Sequence, residues 1–164
     1  MIFKNLSNNL LINLILVALI FTLDRITKKY VIYLSNKNSV SEIFSSKFLN
    51  ISLIWNEGIA FGLFSFNQNI LYNLITLIII VVILIILLMI FKNNGIKKYG
   101  LLMVFGGAVG NLYDRIFFKA VPDFIDLHIE EFHWFVFNVA DIFITMGVIF
   151  MILTELFAKN KIYE

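Results

Sequence analysis

The sequence has no cysteine, a single proline and little charge. Without cysteine there is no disulfide, no thiolate metal site and no cysteine nucleophile. Charged residues make up 15% of the 164 positions and apolar residues 60%, against about 25% and about 45–50% in an average soluble domain. The 13 basic residues nearly balance the 11 acidic ones and are scattered along the chain, which leaves no basic stripe to track a phosphate backbone. Nucleic acid is therefore not expected as a partner. Between Gly58 and Phe91 there is no charge at all. A mean hydropathy of +0.91 excludes soluble and disordered classes, because a domain of this size leaves much of its surface wet.

What the chain does have is long apolar runs. A membrane crossing takes about 20 residues, and four runs qualify, at approximately 9–24, 70–91, 98–114 and 139–157. The expected fold is an all-α membrane protein, a single integral domain over 1–164, with four transmembrane helices and a small β-rich segment outside the membrane. The first run meets Asp24, Arg25, Lys28 and Lys29 directly and lacks the small residues of a cleavage site, so it reads as a retained span rather than a secretory signal. The stretch from Phe48 to Trp55 has the branched and aromatic composition of a strand. The third run carries Gly106, Gly107 and Gly110, a spacing that lets a neighbouring helix approach closely. Four spans place both termini and the Lys92 to Lys98 turn on one side and the two longer loops on the other.

Orientation is nearly balanced by charge. Lys4, Lys92, Lys97, Lys98, Lys159 and Lys161 stand on the turn side, against Arg25, Lys28, Lys29, Lys37, Lys47, Arg115 and Lys119 on the loop side. Nine of the eleven acids lie on the loop side, which leaves the turn side unusually clean in positive charge and favours termini in the cytoplasm.

A set of polar residues stands where the spans meet the loop side: Asp24, Asn56, Asn111, Asp114, Arg115, Asp123, Asn138 and Asp141. Ionisable groups at membrane depth are costly and mark functional sites. Two carboxylates in a poorly solvated site share a proton. One then takes a proton from water while the other polarises a scissile carbonyl, as in aspartic proteolysis. Spacing favours Asp123 with Asp141, and Asp114 and Asp24 compete. A serine and histidine pair would need Ser65 with His128 or His133, a poorer set. The two histidines are five apart beside Glu130 and Glu131, which is not the spacing that joins two ligands on one helix face. They read as solvated loop residues, and neither a metal nor a cofactor is expected. A second function class, a small proton- or cation-coupled carrier, calls for midplane charges and an internal repeat, and neither is visible.

Five ordered motifs resemble those of lipoprotein signal peptidase, or signal peptidase II, over nearly the whole chain. They are Asp24-Arg25-Ile26-Thr27-Lys28, the loop Asn56-Glu57-Gly58-Ile59-Ala60-Phe61-Gly62, the run from Gly106 to Arg115, Val121-Pro122-Asp123-Phe124-Ile125-Asp126, and Phe137-Asn138-Val139-Ala140-Asp141. The resemblance implies a four-helix aspartic protease of the bacterial inner membrane. Its expected substrates are prolipoproteins with a diacylglyceryl-modified cysteine, cut just before that cysteine, with membrane lipid as surroundings and the antibiotic globomycin as inhibitor. By the motifs, Asp123 and Asp141 take the catalytic places. Asp24, Lys28, Asn56, Gly58, Asn111, Asp114, Arg115 and Asn138 fall on substrate-contact or supporting positions. Family members commonly carry Trp-Pro-x-Phe-Asn before the second Asp, where this chain has Trp134-Phe135-Val136-Phe137-Asn138. The match passes through Asp123, so Asp126 is expected to be peripheral. Lacking cysteine, the chain fits the protease and not its substrate.

Overall fold

The structure is a computed structural model that describes residues 2–58 and 68–160, with side chains from Leu10 to Gly58 and from Ile70 to Phe157. Ser65 and the Ile59 to Gly62 part of the loop motif lie outside the described residues. Eight elements follow in order: α1 (Ile2–Asn38), β1 (Glu42–Ser45), β2 (Leu49–Asn56), α2 (Gln68–Lys92), α3 (Ile96–Phe118), β3 (Val121–Ile129), β4 (Phe132–His133) and α4 (Val139–Asn160). All four helices contain segments long and apolar enough to cross a membrane.

Helix α1 does not stop at Asp24 but continues to Asn38. Two of the charges that suggest a span end in the sequence, Asp24 and Lys28, are instead part of one buried stripe. Ile20, Asp24, Lys28 and Val31 are all buried, and their spacing of four, four and three is the period of a helix face. Leucines and isoleucines on the other faces, such as Leu11, Leu14, Leu19 and Ile26, are more than half exposed, as a lipid-facing surface requires.

Helix α3 packs against the other three helices, and its glycines permit this. A Cβ on Gly107 would lie 2.4 Å from the carbonyl oxygen of Ala140, and one on Gly110 would lie 2.8 Å from Asp24 Oδ2. Both approaches occur at the same end of the bundle, where α1 and the start of α4 converge on α3. The apolar core of Ile90, Leu101 and Leu102 lies on the other half of these helices.

Four strands form an antiparallel sheet in the order β1, β2, β3, β4. The strand anticipated at Phe48 to Trp55 is β2. The longer β3 was not anticipated, since Pro122 and two acids within it argue against a strand. Helix α3 ends at Lys119 in a left-handed conformation, φ 59°, which turns the chain into β3. The strand continues through backbone bonds beyond β4: Phe137 receives from the N–H groups of Phe124 and Ile125 at 3.0 and 2.8 Å and donates to Ile125 at 3.0 Å. This pairing holds the approach to α4 with Phe135, where the resemblance leads one to expect proline.

Candidate active site

Asp123 and Asp141 reach one site from two different elements, β3 and the first turn of α4. Asn138 joins them. Its side-chain amide donates to Asp123 Oδ1 at 2.5 Å, while its backbone N–H donates to Asp141 Oδ2 and its own Oδ1 accepts the N–H of Asp141, both at 3.1 Å. The second pair is a capping box on α4, with the acid at the N3 position. Asp141 therefore sits at the positive end of a helix dipole, and Asp24 Oδ1 accepts the neighbouring N–H of Ala140 at 3.1 Å.

Two further amides complete the donors. Asn56 Nδ2 donates to Asp123 Oδ2 at 2.8 Å and Asn111 Nδ2 donates to Asp141 Oδ1 at 2.8 Å. Each of the three asparagines is held in that orientation by a donor on its oxygen. Gly58 N–H donates to Asn56 Oδ1 at 2.7 Å and Lys28 Nζ to Asn111 Oδ1 at 2.8 Å, while Asp141 N–H serves Asn138. With the oxygens so engaged, all three NH2 groups must face the carboxylates. Gly58 takes a positive φ of 78° to make its turn, a conformation that favours glycine.

The register of β2 on β3 explains how Asn56 arrives. Ile51 pairs with Ile125, but Ile54 pairs with Asp123, so β2 spends one more residue than β3 between these points. A shift of one residue turns a strand's side chains to the other face, and this bulge brings Asn56 to the face of Asp123. Asp126, three residues further along β3, lies on the opposite face. Burial pushes the Asp123 carboxyl above the usual carboxylate range, and the charge of Asp141 acts in the same direction. The amides of Asn56 and Asn138 and the ammonium of Lys28 oppose the shift without cancelling it.

Asp24 and Asp114, the competing acids, are engaged differently. Lys28 Nζ lies 2.9 Å from Asp24 Oδ1 and 2.7 Å from Asp114 Oδ2. Arg25 reaches Asp24 Oδ2 at 2.5 Å and grips Asp114 with both guanidinium nitrogens, one at 2.6 Å from Oδ2. Each of these two carboxylates is thus engaged by the same two cations, Arg25 and Lys28. Arg25 was not singled out from the sequence. Its place beside Asp24 in the first motif was the signal, since a guanidinium there can fork onto a carboxylate on a neighbouring helix.

Arg115 is set apart from these contacts. Among the described residues its guanidinium donates only to Asn111 O, at 3.4 Å, and its Nε is buried without a partner. Its Nη2 lies 4.0 Å from where a Cβ on Gly58 would be, which directs it toward the first loop. An apolar cleft of about 570 Å³ opens beside Asp141, with Phe48, Leu127, Trp134, Phe137, Ile142 and Met146 in its wall.

The signal peptidase (SPase) II family profile matches residues 16–157. The chain is 52% identical over 153 residues to the lipoprotein signal peptidase of Pelagibacter ubique (strain HTCC1062), covering 93% of this chain and 92% of that protein. It is 37% identical over 153 residues to the lipoprotein signal peptidase of Anaplasma marginale (strain Florida), covering 92% and 88%. Two solved structures, each described as a bacterial membrane enzyme, share the fold with TM-scores of 0.69 and 0.72 at 25% and 29% identity. They cover 91% and 88% of this chain and 90% and 92% of their own. The matched region takes in every carboxylate, amide and cation of the site, and with it the chain belongs to the signal peptidase II family.

Proposed function

We infer that the chain is an intramembrane aspartic endopeptidase that removes the signal peptide from diacylglyceryl-modified prolipoproteins, cutting just before the lipidated cysteine. The observation that carries this is the pair of carboxylates joined through Asn138 and served by oriented amides instead of cations. Asp123 and Asp141 share one proton. The ionised member takes a proton from a water molecule as its oxygen adds to the scissile carbonyl, and the protonated member donates to the carbonyl oxygen. The tetrahedral adduct then collapses, its C–N bond breaks, and the leaving amine receives a proton from the pair. No covalent enzyme intermediate forms.

The three asparagines hold the carboxylates in place, and their bonds gain strength from a partly dry surrounding. Among the described residues Arg115 keeps donors that can serve the substrate backbone. The signal helix and the diacylglyceryl chains are apolar and belong in lipid, so both enter sideways between the spans, and the cleft beside Asp141 offers an apolar wall there. Water must also reach the scissile bond, which suits a site at the periplasmic end of the bundle. The termini and the Lys92 to Lys98 turn are then cytoplasmic in a bacterial inner membrane. Globomycin inhibition comes with the family resemblance.

Comparing cleavage of the same precursor with and without its diacylglyceryl group tests this recognition. Preference for the lipidated form by about tenfold or more is expected. Equal cleavage of both would make the protein a general intramembrane aspartic protease. Periplasm-active reporters fused after residues 45, 95 and 164 test the topology, and only the first should be active.

A further inference from the structure

The hairpin of β3 and β4 carries a second cluster of ligating side chains, which the proposed proteolysis does not use. His128 stands directly opposite His133 in the register, and Asp126 precedes His128 by two residues. Alternation along the strand puts all three on one face of the hairpin. A spacing of five, which is wrong for a helix, is right for two strands joined by the Glu130 and Glu131 turn. Each of the three residues offers one ligand atom, and these atoms lie within 4.8 Å of one another. His133 Nδ1 is 2.9 Å from Asp126 Oδ2, and the two imidazole rings stack with centroids 5.0 Å apart.

Among the described residues, two polar atoms of this cluster lack partners. Asp126 is only 8% exposed, yet among the described residues its Oδ1 is buried with no hydrogen bond, and so is Nδ1 of His128. Buried polar atoms nearly always have a partner, and an unpartnered carboxylate oxygen and ring nitrogen in the same cluster are donors suited to a cation.

We propose that Asp126, His128 and His133 bind a zinc ion that clasps β4 onto β3. Two imidazoles and one carboxylate are a zinc donor set that leaves a fourth position for water. Bonds of about 2.0–2.1 Å in a tetrahedron separate the donors by about 3.3 Å, so the cluster closes by about 1.5 Å from its present 4.8 Å. The His133 side chain, 49% exposed, has room to make that adjustment. β4 is held to β3 by two register pairs, His128 with His133 and Ile129 with Phe132, and the ion adds a third tie. Phe132 and Trp134, from the same hairpin, line the cleft beside Asp141, so zinc fixes one wall of that cleft.

The experiment uses the full chain in detergent, freed of any purification tag and stripped of metal, and titrated with zinc chloride against a fluorescent chelator. One equivalent is expected to bind with an affinity on the order of micromolar, and zinc should raise the unfolding midpoint. His128→Gln and His133→Gln should each weaken binding by about tenfold or more, with the zinc-free unfolding midpoint unchanged. If His128→Gln fails to fold, His133→Gln alone decides, since its side chain is half exposed. Equal zinc binding by the wild type and the His128→Gln/His133→Gln variant overturns the proposal, as does no binding below about 1 mM. The readout involves no proteolysis, so its failure and the failure of the proposed reaction are separate results.

Discussion

Asn138 and Asp141 cap the same helix for each other, the backbone N–H of each donating to a side-chain oxygen of the other at 3.1 Å. The device that starts α4 thus also aims the carboxylate. Asn138→Ala removes the cap, at a cost of about 1 kcal/mol in stability, and takes the amide from Asp123. Turnover should fall by about 100-fold or more, because small displacements of reacting groups have effects of that size. Asn138→Ser restores a capping oxygen without the amide, so it should recover most of the unfolding midpoint and little of the activity. Thermal unfolding and initial rates on the two variants check both halves.

Asp123→Asn and Asp141→Asn should each abolish cleavage while the protein still inserts and folds, since an amide neither accepts the water proton nor shares one. Asp126 lies on the other face of β3, and Asp126→Asn should keep turnover within about threefold when assayed in chelator. Activity in the first two and loss in the third would put the reacting acid three residues further along the strand.

Lys28 is 1% exposed and lies between Asp24 and Asp114 while it holds Asn111. Lys28→Met leaves the two buried carboxylates of Asp24 and Asp114 with Arg25 as their one remaining cation and should destabilise by about 3–5 kcal/mol. Combining it with Asp24→Asn should cost less than the two single changes added together, because the residues share one network. Strict additivity in denaturant unfolding would mean that the cluster does not act as a unit.

The raised Asp123 carboxyl has a sign that unfolding can read. A carboxyl whose value is higher in the fold takes up protons on folding, so its stabilisation is full below the unfolded value of about 3.9 and is lost as pH rises through the higher folded value. The unfolding midpoint of the wild type, taken relative to Asp123→Asn, should therefore increase as pH falls through that window. Asn56→Leu removes a bond that favours the charged form, and should move the window further up.

Much of this was legible in the sequence, and the gaps have physical reasons. The spans follow from apolar runs alone, and the proposed pair of Asp123 with Asp141 is favoured by spacing, with Asp114 and Asp24 left as competitors until the motifs are weighed. The end of α1 was misplaced because charges were treated as solvated, whereas Asp24 and Lys28 neutralise each other four residues apart inside a helix. β3 was missed because Pro122 is rare within strands. Asn56, Asn111 and Asn138 fall on substrate-contact or supporting positions in the motifs, and that their amides engage the two carboxylates depends on a bulge and on long-range contacts. The pairing of His128 with His133 was invisible for a related reason, since a spacing of five has meaning only once the hairpin is known.

The most direct measurement is cleavage of a diacylglyceryl-modified prolipoprotein by the purified wild type and by Asp123→Asn in the same detergent. The wild type should give a faster-migrating product on a gel whose new N-terminus is the lipidated cysteine, and the variant should give none. An unprocessed precursor with folded wild type, or equal processing by the variant, would contradict the account.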